Sequence, residues 1–155
     1  MSGRIDEARL VMKAAPARIW QALTDGEAVA RWLPPEGMTG EVLAFEPREG
    51  GRFEIRLSYR KGGEGKTTAD ADVVRGRFGA MEPGRLVTWL TRFESDDPRF
   101  AGEMRMSWII ADAPGGAEVH VKAENVPEGI SAEDHAEGMG ASLRGLKAEV
   151  EAASA

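Results

Sequence analysis

Cysteine is absent from the 155 residues, which excludes disulfides, a thiolate nucleophile and cysteine-ligated zinc. Histidine is scarce, with two copies, His120 and His135. That is too few for a histidine-built metal centre, so no metal and no other cofactor is expected. Long apolar runs are missing as well. The longest span four residues, Val42 to Phe45 and Trp108 to Ala111, against the roughly 20 that a membrane-crossing helix needs. Met1 to Leu10 has no secretory pattern, so the cytoplasm is the expected location. Basic residues are in deficit: Lys+Arg number 20 against Asp+Glu 26, a net charge of −6. That argues against nucleic acid or an anionic membrane as the main partner.

What remains is a globular composition, 42% hydrophobic with 19 Gly and 8 Pro spread at turn-like spacing. No repeat or linker is evident, and residues 1–155 read as one domain. Ile5 to Ala14 is expected as a first strand. Pro16 suits the first turn of a helix, with Ile19, Trp20 and Leu23 at helical spacing. A second short helix over Glu27 to Leu33 is stopped by Pro34-Pro35.

A run of strands follows. Val42 to Phe45 comes first. Phe53, Ile55, Leu57 and Tyr59 then alternate with Arg52, Glu54, Arg56, Ser58 and Arg60, giving one apolar and one wet face. Thr67 to Met81 reads as a long strand with Gly76 and Gly79 at bulges or sharp curvature. Leu86 to Phe93 is next. Met104, Met106, Trp108 and Ile110 alternate with polar residues, and so do Val119, Val121 and Ala123 beyond the turn at Pro114-Gly115-Gly116. Ser131 with Asp134 resembles a capping box, opening a helix from about Ala132 to Ala152 whose apolar stripe is Ala136, Met139, Leu143, Leu146 and Val150. Gly138, Gly140 and Gly145 each weaken that helix by roughly 1 kcal/mol relative to Ala, so close approach to the sheet or open room beside it is expected there. The fold class is α+β: a curved antiparallel sheet of six to seven strands, two short helices after the first strand, and one long helix covering a face.

Several motifs narrow this further. Trp20-Gln21-Ala22-Leu23-Thr24 closes the first helix. Arg31-Trp32-Leu33-Pro34-Pro35-Glu36-Gly37-Met38 follows the second. Gly50-Gly51-Arg52-Phe53 opens a strand, and Glu133-Asp134-His135-Ala136-Glu137-Gly138 opens the last helix. In this order they resemble the SRPBCC, or START-like helix-grip, superfamily, and within it the family named after the activator of a heat-shock chaperone ATPase. The resemblance covers roughly residues 5 to 151. Met139 stands where many members carry Trp, and Glu46 where members often have Asp. The resemblance implies a ligand cavity between the sheet and the last helix; it does not imply a known reaction.

The candidate lining of that cavity is Trp32 with Phe53, Ile55 and Leu57, then Trp89, then Met104, Met106 and Trp108, and on the last helix His135, Met139 and Leu143. Aromatic and methionine walls with few polar groups suit a flat, apolar ligand. The first reading is therefore binding of a small apolar or aromatic molecule. The second is an enzyme of cyclase, aromatase or hydrolase-like chemistry, with His135 as acid or base and an inward carboxylate as partner. The third, suggested by the family name, is a co-chaperone. It stands lower because the chain reads as the grip domain alone. A homodimer is left open. Other motifs carry less. Gly65-Lys66-Thr67 lacks the earlier glycine of a phosphate loop, Arg60 standing in its place, and strand follows it. Asp70 and Asp72 share one strand face, most simply a solvated one. Asp96-Asp97 reads as a polar loop, and Glu124-Asn125, near the cavity entrance, as a turn or a ligand contact. No Gly-x-Ser-x-Gly elbow occurs.

Overall fold

The computed structural model describes residues 4–34, 37–59, 71–92, 98–100 and 102–152. The order is β1 (Ile5–Met12), α1 (Pro16–Thr24), α2 (Gly26–Trp32), β2 (Met38–Phe45), β3 (Arg52–Tyr59), β4 (Ala71–Glu82), β5 (Leu86–Arg92), β6 (Glu103–Ala113), β7 (Gly116–Glu124) and α3 (Ala132–Ala152), with a 3-10 turn at Pro98–Phe100 before β6. The seven strands form one sheet in the order β1-β7-β6-β5-β4-β3-β2, and every pairing is antiparallel. This is the expected α+β grip. The phosphate-loop-like Gly65-Lys66-Thr67, Asp70 and Asp96-Asp97 lie outside the described residues, and so does the Asp72 side chain.

Alternation sets the two faces. On β3, Phe53, Ile55 and Leu57 are buried while Arg52 and Arg56 are exposed. On β7, Ala117, Val119, Val121 and Ala123 are fully buried. The outer face carries ion pairs between strands, among them Arg75 with Glu54 on the neighbouring β3 at 3.2 Å and Arg77 with Glu103 across β5 at 3.2 Å. His120 is also there, its Nε2 2.6 Å from Glu7 Oε1. Exposed pairs of this kind contribute only about 0–1 kcal/mol each.

Strand 2 begins four residues before the expected Val42. Its early residues are no apolar run; they are strand because they pair with β3, Thr39 with Ser58 and Glu41 with Arg56. Near its end the register steps between Val42 and Ala44. The first strand stops at Met12, two residues short of Ala14. On β4 the bulge falls between Phe78 and Met81, the Gly79 position. Gly76 is needed for a different reason: a β-carbon there would collide with the Leu90 carbonyl oxygen and crowd the Phe53 ring.

Helix α3 packs mainly against β1, α2 and α1. The Ser131 hydroxyl caps it, accepting the Asp134 N–H at 3.0 Å. Met139, Leu143, Leu146 and Val150 form its buried stripe, but Ala136 is exposed. The stripe begins one turn later than expected, and in the first turn His135 is the residue that reaches the sheet. At the far end Glu149 joins Arg31 at 2.7 Å and Arg18 at 3.9 Å, which ties α3 to both short helices. Arg31 holds the Glu149 carboxyl below its ordinary range, more than offsetting the opposing push of burial.

Candidate functional site

The inner face of the sheet carries a cluster of aromatic rings. Trp89 on β5 is 5.2 Å from Trp108 on β6 and 5.1 Å from Phe53 on β3, measured between ring centroids. Trp32, at the end of α2, lies over both tryptophans, at 5.4 Å from Trp108 edge-on and 6.4 Å from Trp89 nearly parallel. Phe78 continues the cluster, 5.3 Å from Phe53. All five residues are buried. These separations and tilts are those at which aromatic rings attract one another beyond simple burial. The Trp32 indole N–H donates to the Ala22 carbonyl at 2.9 Å, which satisfies an acceptor left open in the last turn of α1. The indole nitrogens of Trp89 and Trp108 and the Thr91 hydroxyl are also buried, and among the described residues they have no hydrogen-bond partner.

Strand register runs a row of residues from this cluster to the β1 edge. Phe78 pairs with Trp89, Trp89 with Met106, Met106 with Ala123, and Ala123 with Asp6. All five share the inner face. Met106 is only partly buried, although Met104 and Trp108 on either side of it are buried. Solvent therefore reaches the inner face at Met106, between a small side chain, Ala123, and the aromatic wall.

At the β1 end of the row stands a polar group of three. His135 Nδ1 is 2.7 Å from Asp6 Oδ2, and Arg4 grips the same carboxylate through Nε at 3.2 Å and Nη2 at 2.9 Å. The side chains of His135 and Asp6 are each 11% exposed. Burial pushes the Asp6 carboxyl up, but hydrogen bonds and attraction from Arg4 and His135 prevail and hold it below its ordinary range. The carboxylate accepts, so Nδ1 carries the proton it donates. With His135 neutral, Nε2 then keeps its lone pair. An ionised carboxylate that orients an imidazole in this way prepares it to act as a base.

The structure brings most of the expected lining together. Trp32, Phe53, Ile55, Leu57, Trp89, Met104, Trp108, Met139 and Leu143 are all buried, and Met106 and His135 are partly buried. The tryptophans and Phe53 are in direct contact, so this part of the interior is packed by the protein's own rings. His120 lies on the outer face, paired with Arg9 and Ile109 in register and away from His135. Among the described residues no group of three or more His, Asp and Glu side chains is placed to hold a metal ion. Asn125 takes a turn role: its φ is 58° and its amide donates to the Glu103 carbonyl at 2.9 Å.

Sequence reasoning missed Arg4, Asp6 and Thr91. Asp6 falls in step with Ala8, Leu10 and Met12, which face inward, but the apolar Ile5 and Val11, 49% and 46% exposed, lie on the other face, so parity alone did not choose between the two.

The family model described as Activator of Hsp90 ATPase homolog 1-like protein matches residues 13–151. A crystal structure of a protein from Chromobacterium violaceum is similar at 29% identity, covering 97% of this chain and 99% of that one, with a TM-score of 0.81. An AHSA1-like protein from Aeromonas hydrophila shares the fold at 18% identity, 97% and 94% coverage and a TM-score of 0.79. A protein from Rhodobacter sphaeroides does so at 23% identity, 97% and 94% coverage and a TM-score of 0.78. No curated protein matches the sequence. Among the described residues no helix is long and apolar enough to cross a membrane.

Proposed function

Since the chain belongs to the Activator of Hsp90 ATPase homolog 1-like family, whose fold sets a long helix against a curved sheet, we propose that it binds a small, mostly apolar or aromatic molecule between the inner sheet face and α3. The observation that carries this is the partial exposure of Met106 in the middle of the inner face, beside the Trp89–Trp108 wall. A flexible thioether next to aromatic faces adapts to flat ligands. Ala123, next in the row, adds little bulk of its own. Titrating a panel of lipids and polycyclic aromatics while following tryptophan emission tests the proposal, because Trp89 and Trp108 adjoin the site. Saturable quenching and a raised melting temperature are expected, since a ligand that binds only the folded state stabilises it. No response across the panel would overturn it.

A second reading is favoured by one observation, the Asp6–His135 pair at 2.7 Å. It gives the site a base on the β1 side of Met106, which suits proton abstraction or hydrolytic chemistry on a bound molecule. Activated aryl esters probe it. Turnover by the wild type that His135→Gln abolishes and His120→Gln retains supports an enzyme. Turnover unchanged in His135→Gln removes the candidate.

A further inference from the structure

We propose that the occupant of this site is a neutral, flat molecule carrying a carbonyl-type oxygen, received by the indole N–H groups of Trp89 and Trp108. This rests on the binding reading above. An indole N–H can only donate, and a buried donor without a partner bears its full desolvation penalty. Native interiors rarely leave such groups open. Here two indole nitrogens and a hydroxyl are buried and, among the described residues, unpartnered, and the two rings that carry the nitrogens are adjacent. The Trp89 and Trp108 rings are 5.2 Å apart. Thr91 follows Trp89 by two residues on the same strand face, opposite Gly76 on one side and Met104 on the other. Aromatic packing alone does not account for these unpaired donors, because Trp32 in the same cluster has its acceptor at 2.9 Å.

The surroundings define what fits. Phe53, Met104 and Met106 are the apolar neighbours of these donors, so the body of the ligand is apolar. The cross-strand row holding Trp89 contains Phe78, Met106, Ala123 and Asp6, hence no cation to balance a carboxylate. Arg4, at the β1 edge, is engaged with Asp6. A keto, quinone or amide oxygen on a planar ring meets these conditions. A hydrocarbon or a saturated alkyl chain would leave all three polar groups dry.

Matched pairs that differ only at the acceptor decide it: 1-indanone against indane, and 9-fluorenone against fluorene. Affinities are measured by calorimetry, and the indole N–H signals of the four tryptophans by proton–nitrogen correlation spectra of the wild type. The ketone is expected to bind about tenfold more tightly than its hydrocarbon, with two of the four indole signals moving downfield. Trp89→Phe and Trp108→Phe should each reduce that preference, while Trp20→Phe should keep it. Equal affinity within each pair, or ketone binding without movement of any indole signal, would overturn the inference and leave the binding reading standing. No binding by either member of either pair would overturn the inference as well, and no response across the lipid and aromatic panel would overturn the binding reading with it.

Discussion

Gly145 of α3 lies directly against the backbone carbonyl oxygen of Trp32, with no space for a β-carbon between them. The long helix therefore seats on the end of α2 by means of a missing side chain. Gly138, on the same helix, has nothing within 4 Å of where its β-carbon would be. One substitution thus carries opposite signs at two places. Gly138→Ala should raise stability by about 1 kcal/mol through helix propensity, or about 2–4 °C in melting temperature. Gly145→Ala should lower it by about 1–3 kcal/mol, because backbone must shift to admit the methyl group. Urea unfolding of both variants checks this.

Acid should loosen the grip through two carboxylates. Asp6 and Glu149 are both held below their ordinary range. A depressed folded pKa contributes stability that is complete above the unfolded value, about 3.9 for Asp and about 4.3 for Glu. That contribution is lost as pH falls through the folded value. Stability is expected to decline below about pH 4. In the double variant Asp6→Asn, Glu149→Gln the decline should be shallower, and the gap to wild type should narrow between about pH 4 and 2. Unfolding curves recorded across that range measure it.

Trp32→Phe should cost about 1–3 kcal/mol, although the ring and most of its burial survive. Removing the indole N–H leaves the Ala22 carbonyl without its partner at 2.9 Å, and an orphaned buried acceptor is penalised by about that amount. The midpoint of denaturant unfolding reads the change.

His135→Ala should free the first turn of α3 from β1. Amide exchange over residues 132–136 is expected to accelerate, with residues 143–150 protected as before, because the buried stripe begins at Met139. His120→Ala, on the outer face with Glu7, should leave the exchange of α3 unchanged. Hydrogen-exchange mass spectrometry separates the two.

Elements with a strong period were legible in the sequence. The α3 bounds and the alternation on β3 and β7 follow from side-chain spacing alone. Strand β2 was legible only in part, since an edge strand with residues such as Thr39, Gly40 and Glu41 has no buried face to write a pattern. Asp6 was hidden for a related reason. Apolar residues fall on both faces of β1, so alternation could not say which face turned inward until pairing with β7 fixed it. Gly145 was readable as a position needing an explanation. The sequence pointed to the sheet, but its neighbour is α2, because contact between helices far apart in the chain leaves no local signature.

The step in register between Val42 and Ala44 leaves Leu43 without a Cα partner on β3, and it stands 41% exposed. Strand β2 is one of the two free margins of the sheet. A straight, greasy margin would be a template for stacking one molecule on the next into fibrils, whereas an irregular one spoils the ladder that an incoming strand needs. This irregularity thus acts against edge-to-edge stacking, and deleting Leu43 would straighten the border and remove that guard.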